Sequence, residues 1–521
     1  MKREFSSLAG RHFDLLVCGG GIYGAWTAYD AALRGLSVAI VEQGDWASAT
    51  SSASSKLIHG GLRYLETYDF KLVMKAIRER QRLLELAPHR VWRLHFGVPV
   101  YDDSRIGTLE LKAGLVLYDL LSGFPSHGLA HHHFGRTAFA DRFPVLSSAG
   151  LKGGYTYGDA QTDDARLVLE LIAGAMEAGA VCVNYCKLTG LNESEGQACG
   201  ATVVDQIDHG NMQVLARQIV FTTGQWTSAS QPGRGWCRLS KGVHLVMPAL
   251  ATDEALLLTA KSDGRVFFLI PWYGATLAGT TDNDYRGDLN DVVAGPEETA
   301  YLLNEANHYL KTTWTEADIV GSYAGIRVMK RSDKASPSDA SRDWELKTAS
   351  NGVHYSIGGK LTSAREDAAV IVGKVCGKLG TMTKCMTENR PFPWAPEGSY
   401  YEWRAAINSR SSRLGIDQEA TKWLVRRHGT RVNEILQSIE ADPRLAERIV
   451  PGLPFLHADL LYCARNEMVM HLDDLLRRRM PMLILARLSE AVLMHIAETV
   501  ATVMEWDETA VSREVACCFQ R

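Results

Sequence analysis

The first candidate for chemistry is a glycine turn near the start of the chain. Gly19-Gly20-Gly21-Ile22-Tyr23-Gly24 fits the pattern G-x-G-x-x-G. Glycines at these positions permit a tight turn and let backbone N–H groups approach a pyrophosphate at the start of a helix. Glu42 follows Gly24 by eighteen residues, where a carboxylate can accept hydrogen bonds from a ribose diol. An acid there disfavours a 2′-phosphate, so the motif indicates FAD or NAD without separating the two.

A rarer segment occupies residues 50–66. Its sequence is Thr50-Ser51-Ser52-Ala53-Ser54-Ser55-Lys56-Leu57-Ile58-His59-Gly60-Gly61-Leu62-Arg63-Tyr64-Leu65-Glu66. The segment combines small hydroxyl side chains, paired glycines, an arginine and a tyrosine. We expect this composition where the backbone approaches a flavin closely and a substrate lies beside it. The segment therefore favours FAD.

A strand, a helix and a second strand must position these residues. Residues 13–18 form a short apolar run, residues 22–34 have helical periodicity, and residues 37–41 form a second apolar run. This order predicts a βαβ unit, which belongs to an α/β sheet with helices on both faces. Further helices are predicted at 69–86, 163–178, 296–310 and 361–379, and strands dominate 181–278 and return at 319–326 and 354–357.

The order of elements also predicts the domains. A nucleotide-binding fold interrupted by a β-rich insertion would alternate in this way, and Pro391, Pro393 and Pro396 mark a linker to a helical tail. We expect residues 1–390 to combine an FAD-binding domain with a substrate cap, and residues 391–521 to form a C-terminal helical domain. The FAD-binding domain is predicted at about 13–80, 150–225 and 318–380, and the cap at about 81–149 and 226–317.

Composition excludes several classes of protein. The chain of 521 residues has a net charge of −4, so no overall basic surface indicates nucleic-acid binding. Its ten cysteines include no CxxC pair, which favours reduced thiols and a cytoplasmic location. The most apolar stretch, residues 481–506, is interrupted by charged side chains too often to predict a spanning helix. Contact with a membrane surface stays open.

The two motif segments together resemble the FAD-dependent glycerol-3-phosphate dehydrogenases, which are quinone-linked respiratory enzymes, and their relatives the α-glycerophosphate oxidases. Later segments match this family in the same order along nearly the whole chain. They are Tyr157-Gly158-Asp159, Asp163-Asp164-Ala165-Arg166-Leu167, Lys241-Gly242-Val243-His244, Gly279-Thr280-Thr281-Asp282, Gly325-Ile326-Arg327, Ser341-Arg342-Asp343, Gly358-Gly359-Lys360-Leu361-Thr362, Glu467-Met468 and Leu472-Asp473-Asp474-Leu475-Leu476-Arg477-Arg478-Arg479.

The resemblance implies a fold class and a reaction. The fold would be α/β with an α+β insertion: a Rossmann-type FAD-binding domain related to glycine and D-amino-acid oxidases, a β-rich substrate cap and an all-helical C-terminal domain. The reaction would be oxidation of sn-glycerol 3-phosphate to dihydroxyacetone phosphate by hydride transfer from C2 to FAD. Electrons would then pass to a quinone. The family also implies peripheral contact with the cytoplasmic face of the inner membrane, and a homodimer is compatible with the sequence.

The resemblance also implies which residues bind the substrate. A dianionic phosphate needs several cations. Arg342, with Arg63 and Tyr64, is expected on the phosphate, and Arg327 and Lys360 nearer the reacting carbon. His244 is the expected base, because histidine commonly removes such a hydroxyl proton. His59 is a second candidate that we expect to support the flavin loop instead.

The expected FAD contacts come from the same matched segments. They are Gly19, Gly21, Ile22, Tyr23, Gly24, Glu42, Gln43, Thr50, Ser51, Ser52, Ser54, Ser55, Lys56, His59, Gly60, Gly61, Thr223, Gly224, Gly359, Lys360, Leu361 and Thr362. No metal is expected. His131-His132-His133 has no accompanying paired carboxylates, and consecutive side chains cannot all point one way.

The chain departs from the family pattern at several positions. Tyr23 replaces a common asparagine, Trp26 stands where glycine often occurs, and Val243 replaces a serine. Val328 stands where proline is typical, and Lys330-Arg331 where several members have acids. We expect these changes at the rim of the active site. They leave open a related phosphorylated polyol as substrate, an oxidase that uses O₂, and, less favoured, an amine or amino-acid oxidase or a non-catalytic flavoprotein.

A basic stripe gives a separate hypothesis. Lys71, Lys75, Arg78 and Arg82 would share one face of the helix predicted at 69–86, near the apolar segment 106–121. Such a stripe can contact anionic lipid headgroups. A solvated charged face is the alternative.

Overall fold

The computed structural model describes residues 1–65, 69–123, 128–229, 233, 235–331 and 343–519, apart from the side chains of Arg63 and Ala229. The strands are β1 His12–Cys18, β2 Val38–Val41, β3 Leu57–Ile58, β4 Val91–Tyr101, β5 His132–Gly135, β6 Leu151–Thr162, β7 Val181–Val183, β8 Cys186–Ser194, β9 Gln197–Asp205, β10 Asn211–Phe221, β11 Cys237–Pro248, β12 Ala255–Thr259, β13 Val266–Trp272, β14 Ala275–Gly279, β15 Asn283–Asp284, β16 Gly321–Lys330, β17 Glu345–Thr348 and β18 His354–Ile357. The helices are α1 Ile22–Leu33, α2 Phe70–Leu86, α3 Thr108–Leu121, α4 Arg136–Arg142, α5 Asp164–Glu177, α6 Pro296–Asn307, α7 Ala364–Leu379, α8 Tyr400–Arg413, α9 Gln418–His428, α10 Val432–Ala441, α11 His457–Asn466, α12 Leu472–Asp474, α13 Met482–Leu485, α14 Glu490–Met504 and α15 Glu508–Phe519.

The first sheet contains the glycine turn. Its strand order is β17-β18-β10-β1-β2-β7, with β9 also paired to β10 and β8 to β9. Strand β1 is parallel to both β2 and β10, and β10 is parallel to β18. The apolar residues of β1 and β2 are buried because helices α1, α5 and α7 cover one side of this sheet. The predicted βαβ unit is therefore confirmed as β1, α1 and β2.

The second sheet forms the opposite wall of the candidate site. Its order is β15-β11-β14-β13-β12-β4-β6-β3, with β16 paired to β11 and β5 to β6. Three of its strands, β3, β6 and β16, lie in ranges that the sequence analysis gave to the FAD-binding domain. β6 pairs along its length with β4, β3 pairs with β6, and β16 pairs antiparallel with β11. The second sheet therefore crosses the predicted domain bounds, which stay a prediction. Of these strands, β16 carries the site residue Arg327.

The residues after 399 are predominantly helical, as predicted, from α8 through α15. The proline-containing segment before them is anchored rather than loose. Phe392 donates its N–H to the carbonyl oxygen of Leu86 at 2.9 Å, and the side chains of Phe392 and Trp394 are buried. The fold thus combines a mixed α/β body with a docked helical domain, which agrees with the predicted fold class.

Candidate active site

A cavity of about 470 Å³ lies between the two sheets. Its walls come from the glycine turn, the segment after β2, the ends of β10 and β18, and strands β11 and β16. Twenty residues predicted from the sequence line it: Gly19, Gly21, Ile22, Tyr23, Glu42, Gln43, Thr50, Ser51, Ser54, Ser55, His59, Tyr64, Thr223, Gly224, His244, Arg327, Gly359, Lys360, Leu361 and Thr362. The fold therefore brings distant parts of the chain to one cavity.

The glycine turn has no room for side chains. Gly19 has φ +110°, and a Cβ atom there would lie 2.6 Å from the carbonyl oxygen of Thr222. At Gly24 a Cβ atom would lie 1.8 Å from the carbonyl oxygen of Gly19, because α1 packs directly against the turn. The bare backbone at the start of α1 is the cradle that a pyrophosphate requires.

Glu42 lies at the end of β2 and lines the same cavity. Its Oε2 accepts the Gly20 N–H at 2.6 Å, and its Oε1 accepts the Gly44 N–H at 2.8 Å. Burial raises the pKa of Glu42, and these two N–H groups counteract the effect. The carboxylate is thus fixed beside the glycine turn, where a nucleotide ribose would lie. The bare turn and this acceptor both fit FAD.

His244 lies on β11 and is 2% exposed. Its Nε2 lies 2.8 Å from Ser55 Oγ, and its ring stacks on Tyr323, with the centroids 4.9 Å apart and an interplanar angle of 12°. Within the described part of the chain, His244 Nδ1 is buried without a hydrogen-bond partner. Burial first, then the charges of Arg327 and Lys56, lower the pKa of His244 well below its usual value. The imidazole is therefore neutral near pH 7 and can accept a proton.

Arg327 lies on β16 and lines the cavity. Its Nη2 donates to Thr280 Oγ1 at 2.9 Å, and its Nη1 donates to the carbonyl oxygen of Thr281 at 2.9 Å and to Asp282 Oδ1 at 3.1 Å. A side chain at Gly242 would come within 2.7 Å of Arg327 Nη2. These contacts explain why the matched segments Lys241-Gly242-Val243-His244 and Gly279-Thr280-Thr281-Asp282 accompany the arginine.

The pairing of β11 with β16 determines which of their side chains face the cavity. His244 is opposite Tyr323, Gly242 is opposite Gly325, and Ser240 is opposite Arg327. Because alternate residues of a strand share a face, His244, Tyr323 and Arg327 project from one face of the sheet. The facing glycines Gly242 and Gly325 leave open space between them, and both line the cavity.

Lys360 and Tyr23 form the opposite wall. Lys360 Nζ lies 3.5 Å from the ring centroid of Tyr64, which is a close cation–π contact. The backbone N–H of Lys360 donates to the Tyr23 hydroxyl at 3.0 Å, and that hydroxyl donates to Asp367 Oδ2 at 2.7 Å. Asp367 also pairs with Lys75 and accepts a hydrogen bond from Ser363. The tyrosine that departs from the family pattern thus joins the glycine turn to the segment carrying Lys360.

Comparison with known proteins identifies the family. The sequence model of the FAD dependent oxidoreductases matches residues 14–365, and that of the C-terminal domain of alpha-glycerophosphate oxidase matches residues 385–511. A glycerol-3-phosphate dehydrogenase of Synechocystis sp. is 36% identical over 501 residues, covering 92% of this chain and 90% of that relative. The chain belongs to the family of FAD-dependent glycerol-3-phosphate dehydrogenases.

Other members of this family agree. Glycerol-3-phosphate dehydrogenase 2 of Mycobacterium bovis is 33% identical over 518 residues, covering 98% of this chain and 88% of that relative. The crystal structure of the glycerol-3-phosphate dehydrogenase from Bacillus halodurans complexed with FAD superposes with a TM-score of 0.80 at 26% identity, covering 99% of this chain and 95% of that one. FAD is accordingly the cofactor of this chain, as the sequence analysis predicted.

Five residues expected to contact FAD do not line the cavity: Gly24, Ser52, Lys56, Gly60 and Gly61. Gly24 and Gly60 are needed for packing. A Cβ atom at Gly60 would lie 2.1 Å from the Tyr118 hydroxyl. Gly61 has φ +81° beside the ring of Tyr64, and the carbonyl oxygen of Ser52 accepts a hydrogen bond from Lys56.

Lys56 differs most clearly from its expected place. Its Nζ is buried and pairs with Asp164 Oδ1 at 2.7 Å, between the rings of Trp272 and Tyr323. The ammonium group therefore supports the wall behind Ser55 and His244 from outside the cavity. The side chain of Arg63 and all of Arg342 fall outside the described residues, so their predicted role on the phosphate stays a prediction.

Several lining residues were missed by the sequence analysis. Gln225 directly follows the predicted Thr223-Gly224, so extending that segment by one residue would have found it. Gly325 and Ile326 belong to the matched segment Gly325-Ile326-Arg327, in which the sequence analysis gave a site role to Arg327 alone. Ala47, Ser48 and Ala49 also line the cavity. These residues lie between Glu42 and Thr50, which were both predicted to contact FAD, and this position in the sequence could have indicated them.

The departures from the family pattern lie mostly away from the cavity. Val243 is buried on the other face of β11, and Trp26 packs edge-on against Phe392 at 5.3 Å between ring centroids. Val328, in contrast, lines the cavity. The expectation that these changes lie at the rim was therefore wrong for Val243 and Trp26.

The basic stripe on α2 is largely paired with acidic side chains. Lys75 pairs with Asp367, Arg78 with Glu366 at 2.8 Å, and Arg82 with Glu79 and Glu388. Only Lys71 of the four lacks an ion pair among the described residues. Most of these cations therefore hold α2 against neighbouring segments, which leaves little free charge for lipid headgroups.

Proposed function

We propose that this chain oxidises sn-glycerol 3-phosphate to dihydroxyacetone phosphate and passes the electrons to a quinone. The convergence of neutral His244, Arg327 and Lys360 on one cavity carries the proposal. The names of relatives at 31–36% identity, all glycerol-3-phosphate dehydrogenases, support the substrate. When bound, FAD would supply the acceptor for the hydride, that is, for the C2 hydrogen together with its two electrons.

The side chains would share the work as follows. His244 takes the proton of the C2 hydroxyl, since burial keeps its imidazole neutral. Arg327 is held by its hydrogen bonds to residues 280–282, so its charge is fixed where negative charge develops on the C2 oxygen. Lys360, held over Tyr64, adds a second fixed cation. Arg63, Tyr64 and Arg342 are proposed to bind the phosphate.

One experiment separates the substrate classes. The purified yellow protein is mixed anaerobically with glycerol 3-phosphate, glycerol or a D-amino acid while the flavin absorbance is followed. We expect rapid bleaching with the phosphate ester alone. Bleaching by the amino acid, or equal rates with glycerol and its phosphate, would contradict the proposal.

The acceptor requires a second measurement. Relatives named dehydrogenases support a quinone, whereas the α-glycerophosphate oxidase of Mycoplasma pneumoniae shares only the fold at 17% identity and a TM-score of 0.56. Reduced enzyme is mixed with a soluble ubiquinone analogue or with air-saturated buffer. Faster reoxidation by the quinone, with little peroxide, is the expected result. Faster reoxidation in air-saturated buffer than with the quinone, with one molecule of hydrogen peroxide formed per turnover, would identify an oxidase instead.

We further propose that the enzyme contacts a membrane surface through apolar side chains of α2 and α3. Leu109 is 82% exposed, and Phe70, Met74, Val116 and Leu120 are also exposed. Phe70 and Met74 share one face of α2, and Leu109, Val116 and Leu120 share one face of α3, because residues at these spacings lie on the same side of a helix. Exposed apolar faces favour an interaction site. Within the described part of the chain, none of the helices has the length and apolar character that a membrane crossing requires. We propose a contact made by these apolar side chains rather than by the paired basic stripe.

A further inference from the structure

The segment after β2 has two different faces. Glu42, Gln43, Ala47, Ser48 and Ala49 line the FAD cavity, and we call residues 42–49 the ribose loop. Asp45 and Trp46 of this loop do not line the cavity, yet they are 1% and 0% exposed. Their side chains point into the body of the protein, so something other than the cofactor must hold them.

Asp45 is held by two arginines of the C-terminal domain. Arg479 Nη2 donates to Asp45 Oδ1 at 2.9 Å while its Nη1 donates to Oδ2, and Arg478 Nε donates to Oδ2 at 2.5 Å. Asn184 adds a hydrogen bond to Oδ1 at 3.2 Å. Burial alone would raise the pKa of Asp45, but Arg479 and Arg478 outweigh it and lower the pKa, so the carboxylate is charged.

Trp46 connects the glycine turn with the C-terminal domain. A Cβ atom at Gly20 would lie 2.4 Å from Trp46 Cε3, so the indole packs directly against the turn. On its other side, Trp46 Nε1 donates to Met468 Sδ at 3.2 Å. A displacement of the C-terminal domain would therefore move the side chain that supports the pyrophosphate cradle.

The arginines themselves are fixed. They lie in a π-helical turn, Leu475–Arg479, directly after α12. Arg478 Nη2 donates to Asp474 Oδ1 at 2.7 Å, and Arg479 Nη2 donates to the carbonyl oxygen of Glu467 at 2.8 Å. Turns of this kind are uncommon and frequently occur at functional positions. The matched C-terminal segments Glu467-Met468 and 472–479 contribute no residue to the cavity wall, so the active-site chemistry does not account for them.

We propose that Arg478, Arg479 and Met468 are positioning residues that hold the ribose loop in its FAD-binding conformation. Formation of these particular contacts and FAD binding are then linked, and each strengthens the other by the same factor. This coupling depends on FAD as cofactor and is independent of the proposed substrate. A failed substrate test would leave it unaffected.

Three variants test the coupling. Asp45→Asn keeps the shape of the side chain and removes the charge shared by both arginines. Arg479→Lys removes the bidentate contact and keeps the positive charge. Met468→Leu conserves volume and removes only the sulfur acceptor of Trp46, so it remains informative if the charged variants do not fold.

Arg90→Lys is the matched control. Arg90 is also a buried cation at the interface with the C-terminal domain, donating to the carbonyl oxygens of Arg426 and Arg427 and to Glu170. It has no contact with the ribose loop in the hydrogen bonds of the described residues. The control therefore weakens domain docking without touching the proposed connection.

The measurement is FAD titration of the apoprotein, read by flavin fluorescence, together with amide hydrogen exchange of residues 42–49. We expect Asp45→Asn and Arg479→Lys to raise the Kd for FAD about tenfold or more, and Met468→Leu by a smaller factor, within the range of ordinary site-to-site coupling. Amide exchange in the ribose loop of the apoprotein should accelerate in the same order. Arg90→Lys should leave both quantities near wild type.

Two results would overturn the proposal. One is an unchanged Kd and unchanged exchange in the variants that fold. The other is an equal loss of FAD affinity in Arg90→Lys, which would assign the effect to general docking of the domain and not to these residues. Because linkage acts in both directions, FAD binding should also slow amide exchange of residues 475–479 in the wild-type protein. In Asp45→Asn, FAD binding should slow the exchange of these residues by a smaller factor.

Discussion

Replacing Tyr23 with phenylalanine removes a single oxygen atom from the junction between the glycine turn and the Lys360 segment. The hydroxyl donates to Asp367 Oδ2 at 2.7 Å and accepts the Lys360 N–H at 3.0 Å. Burial, followed by the nearby Asp367 carboxylate, raises the pKa of Tyr23 well above its usual value, so the phenol keeps its proton. The ring of the variant can occupy the same place, which isolates the two hydrogen bonds.

The expected loss of stability follows from what each partner retains. Asp367 keeps Lys75 and Ser363, so it is not left without partners and loses one charge-assisted hydrogen bond. The Lys360 N–H lines an open cavity and can turn to water. Counting the first bond alone, we expect the free energy of unfolding of the apoprotein to fall by about 2 kcal/mol, since hydrogen bonds to charged groups contribute roughly 1.5–3 kcal/mol.

The assay is urea unfolding of the apoprotein, with Tyr355→Phe as the control. The Tyr355 hydroxyl is buried and lacks a hydrogen-bond partner within the described residues, so its removal should change the free energy of unfolding by less than about 0.5 kcal/mol. Equal effects of the two substitutions, or an effect of Tyr23→Phe below that value, would refute the reasoning. Rescue by Tyr23→Trp is not expected, because indole cannot accept the Lys360 N–H.

Four further outcomes are expected. His244→Asn should slow anaerobic flavin reduction about 10²-fold, the usual size of a general-base contribution, and His354→Asn, a buried histidine outside the cavity, should not. Because the pKa of His244 is lowered, its neutral form persists as pH falls through 6.5. The rate of flavin reduction at saturating substrate should therefore decline only at lower pH, and an inflection of that rate near pH 6.5 would contradict this. Gly24→Ala should abolish FAD retention, since its Cβ would lie 1.8 Å from the Gly19 carbonyl oxygen; a variant that stays yellow after gel filtration would be contrary evidence. Leu109→Asp should reduce flotation with anionic vesicles in both low and high salt while Arg78→Ala should not, and the reverse pattern would restore the basic stripe as the contact.

Local features of the fold could be predicted because their causes are local. The apolar runs and glycine spacing around residues 13–41 gave β1, α1 and β2 to within one residue at each end. The same holds for helix starts. Asp69 and Asp163 accept the N–H groups of Leu72 and Arg166, which is the capping role of an acid before a helix.

Strands β4 and β6 could not be predicted with the same rules. β6 is buried along nearly its whole length, yet Gly153, Gly154, Gly158 and polar residues interrupt any apolar run or alternation. The glycines are there because neighbouring side chains fill their space: a Cβ atom at Gly154 would lie 2.4 Å from the ring of Phe139. Such packing depends on tertiary neighbours, which the pattern of a single strand does not contain.

The candidate site also divides into a predictable and an unpredictable part. Site residues such as His244 and Arg327 could be predicted because they lie in matched segments. The residues that hydrogen-bond to site residues and hold them in place could not, because they are distant in sequence. Tyr23 and Asp367 are separated by 344 residues, and Asp45 and Arg479 by 434. The pairing of Lys75 could not be predicted for the same reason, since its acidic partner Asp367 lies on a helix almost three hundred residues later.

The pairing of β11 with β16 has a consequence for how this enzyme can vary. His244 and Arg327 are aligned by cross-strand hydrogen bonds, so their spacing is independent of the length of chain that joins them. The loop that joins β11 to β12, residues 249–254, can lengthen or shorten without disturbing the reaction centre, whereas β14 pairs with β11 and residues 280–282 hold Arg327. A single inserted residue within β11 or β16 would turn one of these side chains to the opposite face. Deletion scanning should therefore show tolerance in the 249–254 loop and intolerance within β11, β16 and residues 275–282.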